Sequence, residues 1–352
     1  MDERTYLPPP DVGSDFSLTK EKIKDARRNF SRSFLFIFIY LVSSSVLIYA
    51  VATAILIIFG LNTGFAIIDS IAFSWIMQLI AAYMVAFPLS YLVVKRVPYI
   101  KRKRSKLSLE EFVVIFFICQ GIMTFGAMIS NALTSFLSSL LGYTVNNETS
   151  DLMMDTPIWI VILIAVIIGP LFEELMFRKI FMDRISAYGD RFAILVSAIS
   201  FGIFHGNFSQ LIYATGLGLV LGYVYSKTRN VMYSFLLHAL INFFGSIPVM
   251  LISDNLDRVL AVSDPSTLPL EEQIAYIFDA STVSGVVFSQ YLIAFIGIVL
   301  LVYVLAKRLI KVPNRCEIAL PKRVLLKSLL LNVGAILYVL VVTSEFIFSI
   351  LP

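Results

Sequence analysis

Two adjacent glutamates, Glu173 and Glu174, stand at the end of a fifteen-residue uncharged run from Ile158 to Phe172. The only two histidines of the chain, His205 and His238, follow in later apolar segments, and Asn242 comes four residues after His238, on the same helical face. These residue types together make a hydrolytic set. A glutamate in apolar surroundings is basic enough to take a proton from water, and His205 can hold or share that water. His238 and Asn242, as neutral donors, can stabilise the oxyanion formed when water adds to an amide carbonyl. Glu174 and Arg178 are four apart with the acid first, so they pair on one helical face, whereas Glu173 points about 100° away and is left free to react. Glu174 and Arg178 are thus expected to fix the helix that presents the base.

Each residue also has a plainer reading. The acids and Arg178 can be a buried ion pair with a spare carboxylate near the membrane surface, and a membrane histidine or asparagine is commonly a helix-to-helix hydrogen-bonding group. The coincidence favours chemistry: both histidines and the densest acidic pair of the apolar regions fall within seventy residues. Ionisable groups inside a bilayer cost about 2.5–3.5 kcal/mol each on insertion scales, so they face protein-lined sites and mark function.

A hydrophobic content of 58% with 15% charged residues over 352 positions, and a mean hydropathy of +0.86, predict an all-α polytopic membrane protein. The net charge of +4 is small and sits at segment ends, which points to membrane topology and away from nucleic acid. Cys119 lies in an apolar segment and Cys316 in a basic loop, so neither a disulfide nor a cysteine metal site is expected. Met1 to Phe30 is polar, with Pro8-Pro9-Pro10 and no apolar core, so a cleavable signal peptide is not expected.

Alternating loop charge predicts about nine spans: Phe34 to Phe59, Phe65 to Val94, Phe112 to Leu141, Ile158 to about Phe177, Phe192 to Phe204, Phe208 to Tyr225, Val231 to Leu251, Thr282 to Ala306 and Val324 to Leu351. The N-terminus is then cytoplasmic and the C-terminus outside. The dense basic block from Lys95 to Lys106 marks an inner loop and also suits anionic lipid. Asn146 to Asp151 and Ser253 to Gln273 are acidic outer loops, the second with a short interfacial helix expected at Leu268 to Phe278. Arg178, Lys179, Arg184 and Arg191 read as an inner flank, which sets Glu173 only several ångströms inside the inner face. The thirteen-residue fifth segment is too short to span and is expected to turn within the membrane, keeping His205 near mid-depth; read as a full span, it carries His205 towards the outer face. Gly216, Gly218 and Gly222 suit close helix packing. The organisation expected is a basic cytoplasmic tail at 1–33, three accessory helices at 34–141, a core at 157–251, an external acidic loop at 252–275 and two C-terminal helices at 276–352.

Glu173-Glu174 with Arg178, Phe201 with His205, and His238 with Asn242 resemble the three motifs of the CPBP family, the CAAX protease and bacteriocin-processing proteins also called Abi proteins. The resemblance covers Pro157 to Met250. It implies an intramembrane endopeptidase similar to the prenyl-protein proteases that remove three residues from a C-terminal CAAX box, with a conical cavity open to the cytoplasm. By that likeness Glu173 and His205 activate water while His238 and Asn242 contact the oxyanion, with Glu174 and Arg178 in support. The substrate is a membrane-associated peptide or lipidated protein, of CAAX type or of bacteriocin- or pheromone-leader type. The family is described both as zinc-dependent and as glutamate-type. Zinc would take Glu173, His205 and His238, but a metal-free mechanism uses all four residues without leaving a role empty and is the expectation. The competing readings are a non-catalytic membrane scaffold or bacteriocin self-immunity protein and, last, a transporter.

Overall fold

The computed structural model describes residues 20–145, 152–312 and 315–351. The expected acidic loop Asn146 to Asp151 and most of the basic tail lie outside the described residues. The chain is all-helical, without strands among the described residues. Its helices are α1 (Lys20–Ile68), α2 (Ile71–Val94), α3 (Leu109–Leu141), α4 (Ile158–Tyr188), α5 (Asp190–Phe204), α6 (Phe208–Thr228), α7 (Val231–Leu251), α8 (Ser253–Ala261), α9 (Leu270–Ala306), α10 (Lys322–Leu330) and α11 (Val333–Phe348).

Local chemistry sets most of the boundaries. Ser108 and Glu111 form a reciprocal capping box that opens α3, and Gly142 closes it in the left-handed region at φ 79. Asn207, Asn230 and Asn332 accept from the first turns of α6, α7 and α11, satisfying backbone donors that lipid could not.

Seven of these helices are long and apolar enough to cross a membrane, and the pair α10 and α11, bent by 59°, makes an eighth. The protein is therefore a multi-pass membrane protein. The remaining expected segment, the fifth, is α5, whose 15 residues form a hairpin with α6. Two other expectations are corrected. The short helix expected at Leu268 to Phe278 is the start of a continuous α9, because Asp279 is held by Arg258 and Asn255 of α8 and the helix persists beyond its apolar part. The fourth span, expected to end near Phe177, runs on to Tyr188, so Glu173 lies fifteen residues from each end of α4 instead of close to its inner end. Arg178 and Arg184 do not mark a flank, because both are buried in protein: Arg184 donates to the Val94 and Ile180 carbonyls.

Helices α4 to α7 pack together, with α1, α2, α10 and α11 on one side and α3, α8 and α9 on the other. An aromatic cluster joins the first group to the core. Phe34 stacks on Tyr338 at 5.7 Å and meets Phe181 at 5.2 Å, while Tyr40 meets Phe204 at 5.8 Å. Such pairs contribute about 0.5–1.5 kcal/mol each beyond their buried area, and in lipid close packing of this kind drives association. The α5–α6 contact depends on glycine: a Cβ on Gly218 would lie 2.9 Å from the Ala198 Cα.

At the end of the core, Arg229 adopts φ 51 and pairs with Asp190 and, at 3.5 Å, with Asp183. Tyr225 donates to Asp183 at 2.7 Å and Arg315 reaches Asp190 at 2.6 Å. This buried network ties the ends of α4, α5 and α6 to the segment before α10, and Arg102 joins the same segment through Glu317 at 2.6 Å.

Candidate active site

The acids lie on an irregular stretch of α4. A π-helical segment, Ile162–Ile168, leads into a turn of α-helix, Gly169–Glu174, and a second π segment follows at Leu175–Met182. Such windings recur at functional sites. Proline contributes directly. In the first π segment the Gly169 N–H bonds back to Ile164, five residues earlier. Continuing that register would pair residue 170 with Ala165, but Pro170 has no N–H. The vacant Ala165 carbonyl is taken by the Asn242 side chain, whose Nδ2 donates to it at 2.9 Å.

Glu174 and Arg178 are both fully buried and lie 3.2 Å apart, as their spacing predicts. The Arg178 N–H is not aligned for a hydrogen bond to this oxygen, so the attraction is that of an ion pair. Arg178 also donates to Ser197 Oγ at 3.1 Å and lies over the Phe201 ring at 4.9 Å. Glu174 has a second partner that its helix does not reveal: its Oε1 is 3.1 Å from Nδ1 of His238. The other ring nitrogen, Nε2, is 3.7 Å from Glu173 Oε2. His238 therefore sits between the two adjacent carboxylates, and Glu174 does more than fix its own helix.

This arrangement changes the expected part of His238. If Glu174 is ionised it can only accept, and Nδ1 then carries the proton it receives. In that tautomer a neutral His238 presents a lone pair at Nε2 instead of the donor expected from sequence. It can donate there only when it also carries a proton at Nε2. Asn242 is restricted too, because one of its two N–H groups is committed to Ala165.

Glu173 keeps 22% side-chain exposure, against none for Glu174, so it is the accessible acid of the pair. His205 caps the end of α5, half-buried, where Gly206 turns the chain at φ 65. Asn207 braces that turn by donating to the His205 carbonyl at 2.8 Å while it caps α6. Phe201 stands against both histidines, edge-on at 5.1 Å from His205 and 5.7 Å from His238. His205 is within electrostatic reach of Glu173 and His238. Among the described residues no three His, Cys, Asp or Glu side chains gather as metal ligands do.

Sequence reasoning missed several neighbours of the site. The charge of Glu173 acts on the hydroxyls of Tyr40, Tyr83 and Tyr213, from α1, α2 and α6. Tyr83 stacks on Phe172 at 4.6 Å and accepts from Gln78 at 3.1 Å, which leaves its own hydroxyl proton to donate. No spacing rule links these tyrosines to the acids. Glu345 of α11 packs so closely on the turn after His205 that a Cβ on Gly206 would come 2.6 Å from its Cβ. An acid in an apolar helix is a readable signal, the one that singled out Glu173.

Fold and site define a polytopic membrane protein with a carboxylate and histidine centre among its helices. Residues 155–244 match the family model described as Type II CAAX prenyl endopeptidase Rce1-like. That segment, about a quarter of the chain, is what resembles the CPBP/CAAX protease family. It is 27% identical over 108 residues to "Putative membrane peptidase YdiL" of Bacillus subtilis, a match covering 30% of this chain and 44% of that protein. It is 32% identical over 120 residues to UPF0177 protein YxdF of Lactococcus lactis, covering 34% of this chain and 65% of the relative. The matches thus span about half to two thirds of the length of these curated relatives. No solved structure matches the chain significantly.

Proposed function

We propose that the protein is an intramembrane endopeptidase that hydrolyses a peptide bond of a membrane-associated peptide or protein. The observation that carries this reading is His238 held between Glu173 and Glu174, at 3.7 Å and 3.1 Å, beside a second histidine. A packing role alone gives no reason to keep one of two adjacent acids partly open, whereas hydrolysis requires an accessible base.

In this reading Glu173 takes a proton from a water held with His205, and that water adds to the scissile carbonyl. The proton passes to the leaving nitrogen as the carbon–nitrogen bond breaks. The developing oxyanion is met by the free N–H of Asn242, by the Tyr83 hydroxyl, and by His238 when it is protonated at Nε2. Glu174 sets the ring orientation of His238, and Arg178 offsets the buried charge of Glu174. The four residues face one conical cavity that opens to the cytoplasm, with the N-terminus on that side and the C-terminus outside. The likeness to the Rce1-like family supports a CAAX-type substrate, prenylated near its C-terminus; a bacteriocin- or pheromone-type leader is the alternative within the same chemistry.

The mechanism is metal-free in this proposal, since every residue has a role without an ion. The test compares the membrane peptides of cells carrying wild type and Glu173→Gln. Uncleaved peptide accumulating with the variant supports the proposal. Indistinguishable peptide profiles, with both proteins folded and present in equal amount, would leave the scaffold or self-immunity reading in its place.

A further inference from the structure

We propose that a groove at the basic end of α2 is a binding site for the headgroup of an anionic phospholipid. The groove, about 390 Å³ in volume, is lined by Arg32, Leu92, Val93, Lys95 and Arg96. Arg32 comes from α1, and the others from the last turn of α2 and the residues just beyond it. Two elements therefore bring three cations around one space.

None of these three cationic side chains has a hydrogen-bond or ion-pair partner among the described residues, whereas several of their basic neighbours do. On α1, Arg27 donates to the Leu331 carbonyl at 2.8 Å and Arg28 pairs with Asp25 at 2.8 Å. Elsewhere Lys179 pairs with Asp183 and Arg102 with Glu317. Cations at a helix C-terminus commonly offset its exposed carbonyls, but here Arg184 already donates to the Val94 carbonyl at 2.9 Å.

The apolar wall selects the source of the anion. Leu92, 52% exposed, and Val93 belong to the apolar part of α2, one turn before the cations. A phosphate with an acyl chain attached uses both walls, whereas a soluble phosphate uses only the charges. Each basic residue near an anionic membrane contributes a few-fold in affinity, so three acting on one headgroup amount to roughly a hundredfold.

The test uses purified full-length protein with phosphatidylglycerol or phosphatidylcholine, read by native mass spectrometry and by titration in nanodiscs. Wild type is expected to retain phosphatidylglycerol and not phosphatidylcholine. The variant Arg32→Gln/Lys95→Gln/Arg96→Gln is expected to lose roughly a hundredfold in that affinity. Because removing three charges can disturb insertion, Leu92→Trp serves as a second variant that keeps every charge and fills the groove; it is expected to lose binding too. Lys103→Gln/Arg104→Gln/Lys106→Gln removes as many charges from the exposed loop and is expected to bind nearly as wild type. The proposal is overturned if the loop variant weakens binding as much as the groove variant, if Leu92→Trp binds normally, or if inorganic phosphate displaces the lipid.

Discussion

His238 Nδ1 lies 3.1 Å from Glu174 Oε1, so the acid that pairs with Arg178 along its own helix also fixes a histidine 64 residues away. Stability and chemistry are joined at this contact. Glu174→Gln removes the counter-charge of a fully buried arginine, a change that costs about 3–5 kcal/mol, and it also releases the ring of His238. Glu173→Gln alters a partly exposed acid and is expected to abolish cleavage with little change in Tm. Thermal unfolding in detergent alongside peptide cleavage checks both. The roles are reversed if Glu173→Gln unfolds the protein while Glu174→Gln leaves it stable and inert.

Phe201, 1% exposed, touches Arg178, His205 and His238 at once. Phe201→Ala is expected to cost about 3–5 kcal/mol through the cavity it leaves. Phe201→Leu fills more of the space and should retain most of the stability while lowering kcat, because an aliphatic side chain cannot hold both imidazoles edge-on. Equal kcat in Phe201→Leu and wild type would reduce the ring to a packing role.

Asn242 and Pro170 are linked through the Ala165 carbonyl. Asn242→Ala leaves that carbonyl without its donor, at a cost of about 1–3 kcal/mol. Pro170→Ala restores a backbone N–H in the right register, so the double variant should be more stable than the sum of the two single effects predicts. A double-mutant cycle on Tm measures this, and strict additivity would refute the link.

Tyr83→Phe removes a hydroxyl while leaving the ring stacked on Phe172. Loss of one oxyanion donor costs roughly a hundredfold or more in kcat, so kcat should fall by about that much with KM nearly unchanged. Loss confined to KM would assign Tyr83 to substrate binding instead.

For the metal, the expected outcome is that exhaustive chelation leaves cleavage intact and that active protein carries far less than one zinc per chain. Activity abolished by a chelator and restored by zinc would make Glu173, His205 and His238 the ligands to substitute first.

Much of this protein is legible in its sequence, because the relevant physics is local. Apolar length and composition give a multi-pass helical membrane protein. The Glu174–Arg178 pair follows from residues four apart on one helix. The motif residues could be singled out since charges and histidines are scarce in such segments.

Only the tertiary structure decided how those residues meet. The length of α4 is not legible from its cations, because Arg178 and Arg184 are buried against protein partners, and a buried cation carries no information about where the bilayer ends. That His238 stands between the two acids, that Asn242 spends a donor on Ala165, and that Tyr83 of an accessory helix stacks beside Glu173 all depend on how separate helices cross and on the π windings of α4. Contacts between helices far apart in the chain have no fixed spacing, so sequence names the groups that can react while packing assigns their partners.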